Sequence, residues 1–357
     1  MKSKKKIVLC RTVSGLAAAV LLVGFLVAAG CILRPKYRSV SPEGSLTGEY
    51  YADVAEVSHD LLFIGDCEVY ESFIPAVLWQ EYGISSYVRG SAQQLVWQSY
   101  YMLADALRHE TPRVVVFNVL SLMYGEPQSE AYNRMTLDGM EWSPVKVSAI
   151  RASATAGESL ASYLLPALRY HSRWDQLTAE DLRYAFRAGE PVSDSGYLLQ
   201  TGVQPRDPSI NDAELKKPLI NAALPTSSME WLDRLYRLCE ENGILLVLFK
   251  APTNSWHYWW YDEWDAEISA YAARRSLPYC NAIPAADSIG LDWSADTYDG
   301  GVHLNVSGAE KLSVWFGRYL RADSALSDAL PDRRTDSAFS SVWRARVERF
   351  EARKRGQ

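Results

Sequence analysis

The sequence predicts an α/β domain, a three-layer doubly wound parallel sheet of about five strands with helices on both faces, carried on an N-terminal transmembrane helix. Three observations lead there. Short apolar runs alternate with stretches of helical spacing over residues 60–122 and again over 228–322. The first three runs end on Gly65, on Arg89-Gly90-Ser91 and on Asn118. Thr12 to Leu33 is apolar and uncharged, and a run of roughly 20 such residues spans a bilayer.

The elements follow in chain order. MKSKKK is basic, which puts the N-terminal tip in the cytoplasm and the rest of the chain outside. Residues 1–33 therefore read as a basic tip and a transmembrane anchor. A rival reading takes Ala28-Ala29-Gly30-Cys31 as a bacterial lipoprotein cleavage site, leaving Cys31 as a lipidated N-terminus. Both tether the chain to the outer face of a membrane. Residues 34–59 are polar and turn-rich, a linker. The folded domain is expected over 60–325. Asp60–Ile64, Ile84–Val88, Val114–Phe117, Ile244–Lys250 and Pro278–Asn281 read as strands. Pro75–Tyr82, Gln94–His109, Ser228–Asn242, Glu263–Arg275 and Val306–Leu320 read as helices between or after them.

Residues 121–227 interrupt this alternation, with one helix near Glu158–His171. An insertion after the third strand lands on the rim where parallel sheets bind ligands, so it either shapes the substrate site or is a peripheral cap. Residues 326–357 are charged, with Val342, Val347 and Phe350 near helical spacing, and read as a surface helix docked by a thin apolar stripe.

Composition narrows the classes. The chain has 357 residues, 48% of them hydrophobic, and a formal net charge of −6, enough for an ample core. No basic stripe or aromatic platform suits nucleic acid. Five cysteines, at 10, 31, 67, 239 and 280, have no metal-ligand or CxxC spacing. That odd, scattered set argues against a disulfide framework. Cys239 and Cys280 are either buried apolar thiols or a disulfide. The Gly-rich spots match neither a P-loop nor a dinucleotide fingerprint, so no cofactor is expected.

The chemistry-bearing residues lie in two loops. LLFIGDCEVYE (61–71) is an apolar run ending in a Gly65-Asp66-Cys67 turn, and DTYDGGVHLNVSGAEK (296–311) places Asp299 and His303 just before a helix. Acyl transfer needs a nucleophile, a base in hydrogen-bond reach and donors aimed at the developing oxyanion. Cys67 at a helix start could be favoured as thiolate. His303 would be its base, held by Asp299. The bland readings are a buried small hydrophobe for Cys67, a residue leading into the helix for His303 and a turn cap for Asn118. His59, His109, His171 and His257 read as surface or packing, with His171 reaching the site only if the insertion folds over it.

These blocks resemble the SGNH (GDSL-type) hydrolase family, whose fold is flavodoxin-like. The GDS turn after strand 1 appears as Gly65-Asp66-Cys67, the second-block glycine as Gly90, the third-block asparagine as Asn118, and the final Asp/His block as Asp299 and His303. The likeness covers about residues 60–122 and 228–322. It implies an oxyanion hole from the Cys67 amide, the Gly90 amide and the Asn118 side-chain NH₂. Two departures stand out. Cysteine replaces serine, which means either a thiol nucleophile or a lost activity. Gly300 occupies the position three before the histidine, so the GGV segment must bulge for Asp299 to reach the ring, or else Asp296 or a backbone carbonyl orients it.

The segment SWHYWWYDEWD (255–265) is dense in aromatics. Trp256, Trp259 and Trp260, with Asp66, are candidate substrate contacts, since aromatic faces beside carboxylates suit sugars; packing against the insertion is the alternative. The resemblance implies an extracytoplasmic esterase or acyltransferase acting on an ester-linked acyl group, with a cell-envelope polysaccharide or acyl donor as partner. Similar anchored domains act beside membrane-bound O-acyltransferases, which makes such an enzyme a candidate partner. A catalytically silent scaffold domain is the rival class. A papain-like peptidase is opposed by the parallel-sheet pattern.

Overall fold

The computed structural model describes residues 2–34, 43–187, 191–207, 209–210 and 222–356. Helix α1 (Lys2–Leu33) is followed by α2 (Ser45–Gly48) and α3 (Tyr50–Glu56). The first half of the sheet is β1 (Leu61–Gly65), α4 (Cys67–Tyr70), α5 (Pro75–Tyr82), β2 (Ser86–Gly90), α6 (Val96–Ala106) and β3 (Val114–Asn118). The insertion carries α7 (Glu130–Leu137), α8 (Pro144–Ser153), α9 (Ala161–Leu164), α10 (Ala167–Tyr170) and α11 (Ala179–Arg183). The second half is α12 (Thr226–Glu241), β4 (Leu245–Lys250), α13 (Asp262–Arg275), β5 (Tyr279–Asn281), α14 (Ala286–Ile289) and α15 (Val306–Ala322), closed by α16 (Ser324–Ala329) and α17 (Ser337–Arg355).

The sheet has five strands in the order β2-β1-β3-β4-β5, all paired in parallel. This is the flavodoxin-like doubly wound order, whose ligand crevice opens at the carboxyl ends of β1 and β3, where the winding reverses. Alternation along each strand divides the core. Leu61, Phe63, Val114, Val116, Val247 and Phe249 face one layer with Phe73 and Phe316. Leu62, Ile64, Val115, Phe117, Leu246 and Leu248 face the other with Leu232 and Ile268. Burial on both faces is why the strands read as continuous apolar runs.

Three expectations need correction. The segment taken as a linker is only partly one: residues 35–42 lie outside the described residues, but 45–56 form α2 and α3. Tyr50 is fully buried there, with the Arg89 guanidinium 4.0 Å from its ring centroid. The single helix expected over 158–171 is broken at Pro166, which separates α9 from α10. The C-terminal helix docks through Phe350 of the expected stripe, with Val347 packed beside it, but also through Trp343, which that stripe left out; Trp343 and Phe350 are wholly buried. Trp343 stacks on Trp79 with centroids 5.4 Å apart, and its Nε1 donates to Ser85 Oγ at 3.1 Å. Cys239 and Cys280 are free, buried thiols.

The N-terminal helix has one apolar stretch, Arg11–Leu33, long and apolar enough to cross a membrane.

Candidate active site

Cys67 opens α4 directly after β1. The turn is tight because Gly65 has no room for a side chain: a Cβ there would lie 2.7 Å from Asn118 Cβ. Asp66 is the cap of α4, its Oδ1 accepting from the Glu68 amide at 3.0 Å. Asp66 is buried in that role. Burial, then the Glu68 charge, push its carboxyl up to about 8.

The Cys67 thiol is 7% exposed. Helix α4 has only four residues, so its dipole is weak and burial dominates: burial and Asp66 push the thiol up to about 11, against a downward pull from His303. The expected thiolate stabilisation by the helix end is thus outweighed. Cys67 Sγ donates to the Tyr258 hydroxyl at 3.5 Å.

The histidine loop converges on the same place. His303 Nδ1 lies 2.6 Å from Asp299 Oδ2, and the His303 amide donates to Asp299 Oδ1 at 2.8 Å. One carboxylate therefore fixes both the ring and the backbone. The bulge this requires is supplied by Gly300 and Gly301, with φ of +76° and +90°, a conformation that favours glycine. Asp296, the alternative orienting group, is instead paired with Lys311 at 2.6 Å. Glu71 Oε2 is a second carboxylate, 3.4 Å from His303 Nδ1, and Tyr298 donates to Glu71 Oε1 at 2.9 Å. Tyr258 meets the ring edge-on, with centroids 5.0 Å apart.

Burial alone would lower the His303 pKa. The Asp299 bond, the Cys67 thiol and Glu71 more than reverse this and raise it to about 11. Thiol and ring are close enough for each to shift the other's titration. His303 Nε2 is buried with no aligned hydrogen-bond partner among the described residues. A buried imidazole nitrogen beside a thiol, with the opposite nitrogen fixed by a carboxylate, is arranged to move a proton to and from sulfur.

The residues expected to form the oxyanion hole also carry structural contacts. Asn118 Nδ2 donates to Glu68 Oε2 at 2.8 Å, and Glu68 Oε1 accepts from Lys250 Nζ at 2.6 Å. Asn118 is therefore tied into a buried ion pair beneath the turn. Gly90 is pressed against α4, where a Cβ would meet Val69 Cγ2 at 2.6 Å, so its lack of a side chain serves packing. Of the tryptophans, Trp260 is core, its ring tilted against that of Trp264 with centroids 5.4 Å apart. Trp256 and Trp259 are half-buried. The residue of that segment that reaches the thiol is Tyr258, which the sequence reading passed over, as it did Glu71, Glu68, Lys250 and Tyr298. His171 is exposed and bonds to the Leu168 carbonyl, away from this cluster.

The insertion braces the histidine loop. The Val306 amide donates to Gln200 O at 2.7 Å, Gln204 donates to Thr297 O at 3.0 Å, and Asn305 Nδ2 donates to Gly202 O at 3.0 Å. Among the described residues no cluster of His, Cys, Asp and Glu is arranged to hold a metal ion.

No family model matches the chain, and no curated protein matches it. Solved structures similar to it include a protein of Desulfitobacterium hafniense described as a lipolytic protein of the G-D-S-L family, 12% identical over 73% of this chain and 99% of that one, with a TM-score of 0.35. A GDSL-like lipase of Bacteroides thetaiotaomicron is 12% identical over 79% of this chain and 97% of its own, also with a TM-score of 0.35. A protein of Bacteroides fragilis described as an acylhydrolase is 12% identical over 79% and 96% of the two chains, with the same TM-score of 0.35. These likenesses are too distant to add to what the strand order and the site geometry establish.

Proposed function

We propose that the chain is a membrane-anchored acyl-transfer enzyme, with Cys67 as nucleophile, His303 as proton carrier and Asp299 as its orienting carboxylate. The observation that carries the reading is the 2.6 Å Asp299–His303 contact, which leaves Nε2 buried and unpaired beside the thiol. In the proposed step the thiol sulfur bonds to an ester carbonyl carbon and its proton passes to Nε2. Collapse of the tetrahedral adduct returns that proton to the leaving alkoxide, giving a thioester on Cys67. Water or a sugar hydroxyl then cleaves the thioester, so hydrolysis and transfer share one intermediate. The Tyr258 phenol, held protonated by burial, is a further donor for the oxyanion, alongside the Cys67 amide and the second N–H of Asn118.

The basic N-terminus supports a place for the domain on the outer face of the membrane. The half-buried Trp256 and Trp259 flank Tyr258 in the chain and fit an acylated cell-envelope glycan, and a membrane-bound O-acyltransferase fits as partner through the SGNH resemblance. A second reading, a silent scaffold of the same fold, is favoured by the burial of the thiol and the engagement of Asn118 with Glu68. Turnover of p-nitrophenyl acetate by full-chain wild type, Cys67→Ala and His303→Ala separates the two. Loss of turnover in both variants supports the enzyme; equal rates in all three reject it in favour of the scaffold.

A further inference from the structure

We propose that the corner of the insertion built from α9, α10 and α11 is a lipid-facing platform, lying on the same bilayer that α1 crosses. This rests on the anchor reading above. Arg11 is the last charge before the apolar run, and about 20 helical residues at ~1.5 Å each cross a hydrocarbon core of ~30 Å. Counted from Arg11, the helix leaves the core within its last turn, at Gly30 to Leu33.

That last turn is where the domain takes hold. Side chains from Val13 to Phe25 stand free, whereas Gly30 is buried and Cys31 to Arg34 are half-buried. The insertion covers them. A Cβ on Gly30 would meet the Ala167 nitrogen and Pro166 Cβ, each at 3.3 Å, and the Arg173 guanidinium donates to the Leu33 carbonyl. Helix α10 and the turn after it therefore sit at headgroup level.

The same corner carries side chains that water does not favour. Trp174 is 72% exposed, Phe186 74%, and Leu164 and Leu182 63% each. Outside α1, most of the large apolar side chains exposed among the described residues fall between 160 and 186. An apolar patch of this kind on a water-soluble surface calls for a partner, and its position beside the emerging helix makes the bilayer that partner. Trp174 matches the aromatic belt of membrane interfaces. Arg183 and Arg187, both exposed beside Leu182 and Phe186, suit anionic headgroups. Since the insertion also braces the His303 loop, docking holds the site at a fixed height above the membrane.

The test uses the full chain in nanodiscs of phosphatidylglycerol and phosphatidylethanolamine. The photo-crosslinking residue p-benzoylphenylalanine replaces Val20, Trp174, Phe186 or the exposed Arg237 of α12, one at a time, and lipid adducts are read by mass spectrometry. Adducts are expected at positions 20, 174 and 186, with none at 237. Adducts at 20 but not at 174 and 186 overturn the platform and leave the anchor standing, as do crosslinks from 174 and 186 to a second copy of the chain. An equal lipid yield at 237 also overturns the platform, since contact would then be unselective. No adduct at 20 overturns anchor and platform together.

Discussion

His303 is bounded by Asp299, Glu71 and the Cys67 thiol, and this crowding sets the pH at which the pair can work. Both groups are raised to about 11, the thiol mainly by burial and the imidazole by its acidic neighbours against the effect of burial. At neutral pH each therefore holds its proton, and the reacting form, one proton short, grows as pH rises. Ester turnover is expected to climb between pH 7 and pH 10; a plateau by pH 8 would contradict this. Glu71, raised to about 7 by burial, is partly ionised at neutral pH and contributes to the high imidazole value. Glu71→Gln should move the alkaline limb to lower pH and speed turnover at pH 7, and an unmoved limb in the pH–rate profile would count against it. Tyr258→Phe should lower kcat by about 10²-fold with KM little changed; an unchanged kcat would reduce the phenol to packing. Cys67, Asp299 and His303 were legible because each sits in a short loop with a local signature. Tyr258 and Glu71 were not, because only the folded chain brings them to the ring. Nor was the bond from Asn118 to Glu68, whose carboxylate is held by Lys250, 182 residues away in sequence.

Among the elements, the C-terminal helix α17 shows how burial departs from composition. Its charged sequence hides Trp343, which lies against Trp79 on α5 and closes one outer layer of the sheet. Trp343→Ala should cost about 3–5 kcal/mol of stability, read as a lower denaturant midpoint. A loss below about 1 kcal/mol would mean that the helix is a surface appendage. The strands were readable from apolar runs stopped by Gly65 and Asn118, and the helix over Pro75–Tyr82 from its proline start and Gly83 stop. Helices α2 and α3 were not readable, because a polar stretch conceals the residues whose burial makes it part of the fold, Thr47 and, against Arg89, Tyr50.

For the molecule as a whole, His59 joins parts of the chain that the sheet alone does not hold. Its Nε2 lies 2.9 Å from Asp53 Oδ1 and its Nδ1 3.0 Å from Glu110 Oε1, and Asp53 also pairs with Arg346 of α17 at 2.8 Å. Burial would lower the His59 pKa, but Glu110 and Asp53 raise it to about 9. The folded state thus binds this proton more tightly than the unfolded chain. Its stabilisation is complete below about pH 6.5 and is lost as pH rises through 9. His59→Gln leaves two carboxylates facing an uncharged side chain and should cost about 3–5 kcal/mol at pH 6. The difference from wild type in urea unfolding should narrow by pH 10, and a pH-independent difference would rule out a charged His59.

The fold brings a thiol and an imidazole, 236 positions apart in the sequence, to one rim, and the central claim is that they act together on an acyl group. Mass spectrometry of the full chain quenched during turnover of an acyl ester tests this most directly. An acyl adduct on the peptide containing Cys67, absent in His303→Ala, is the expected result. Sustained turnover with Cys67 unmodified and with Cys67→Ala equally active would contradict it.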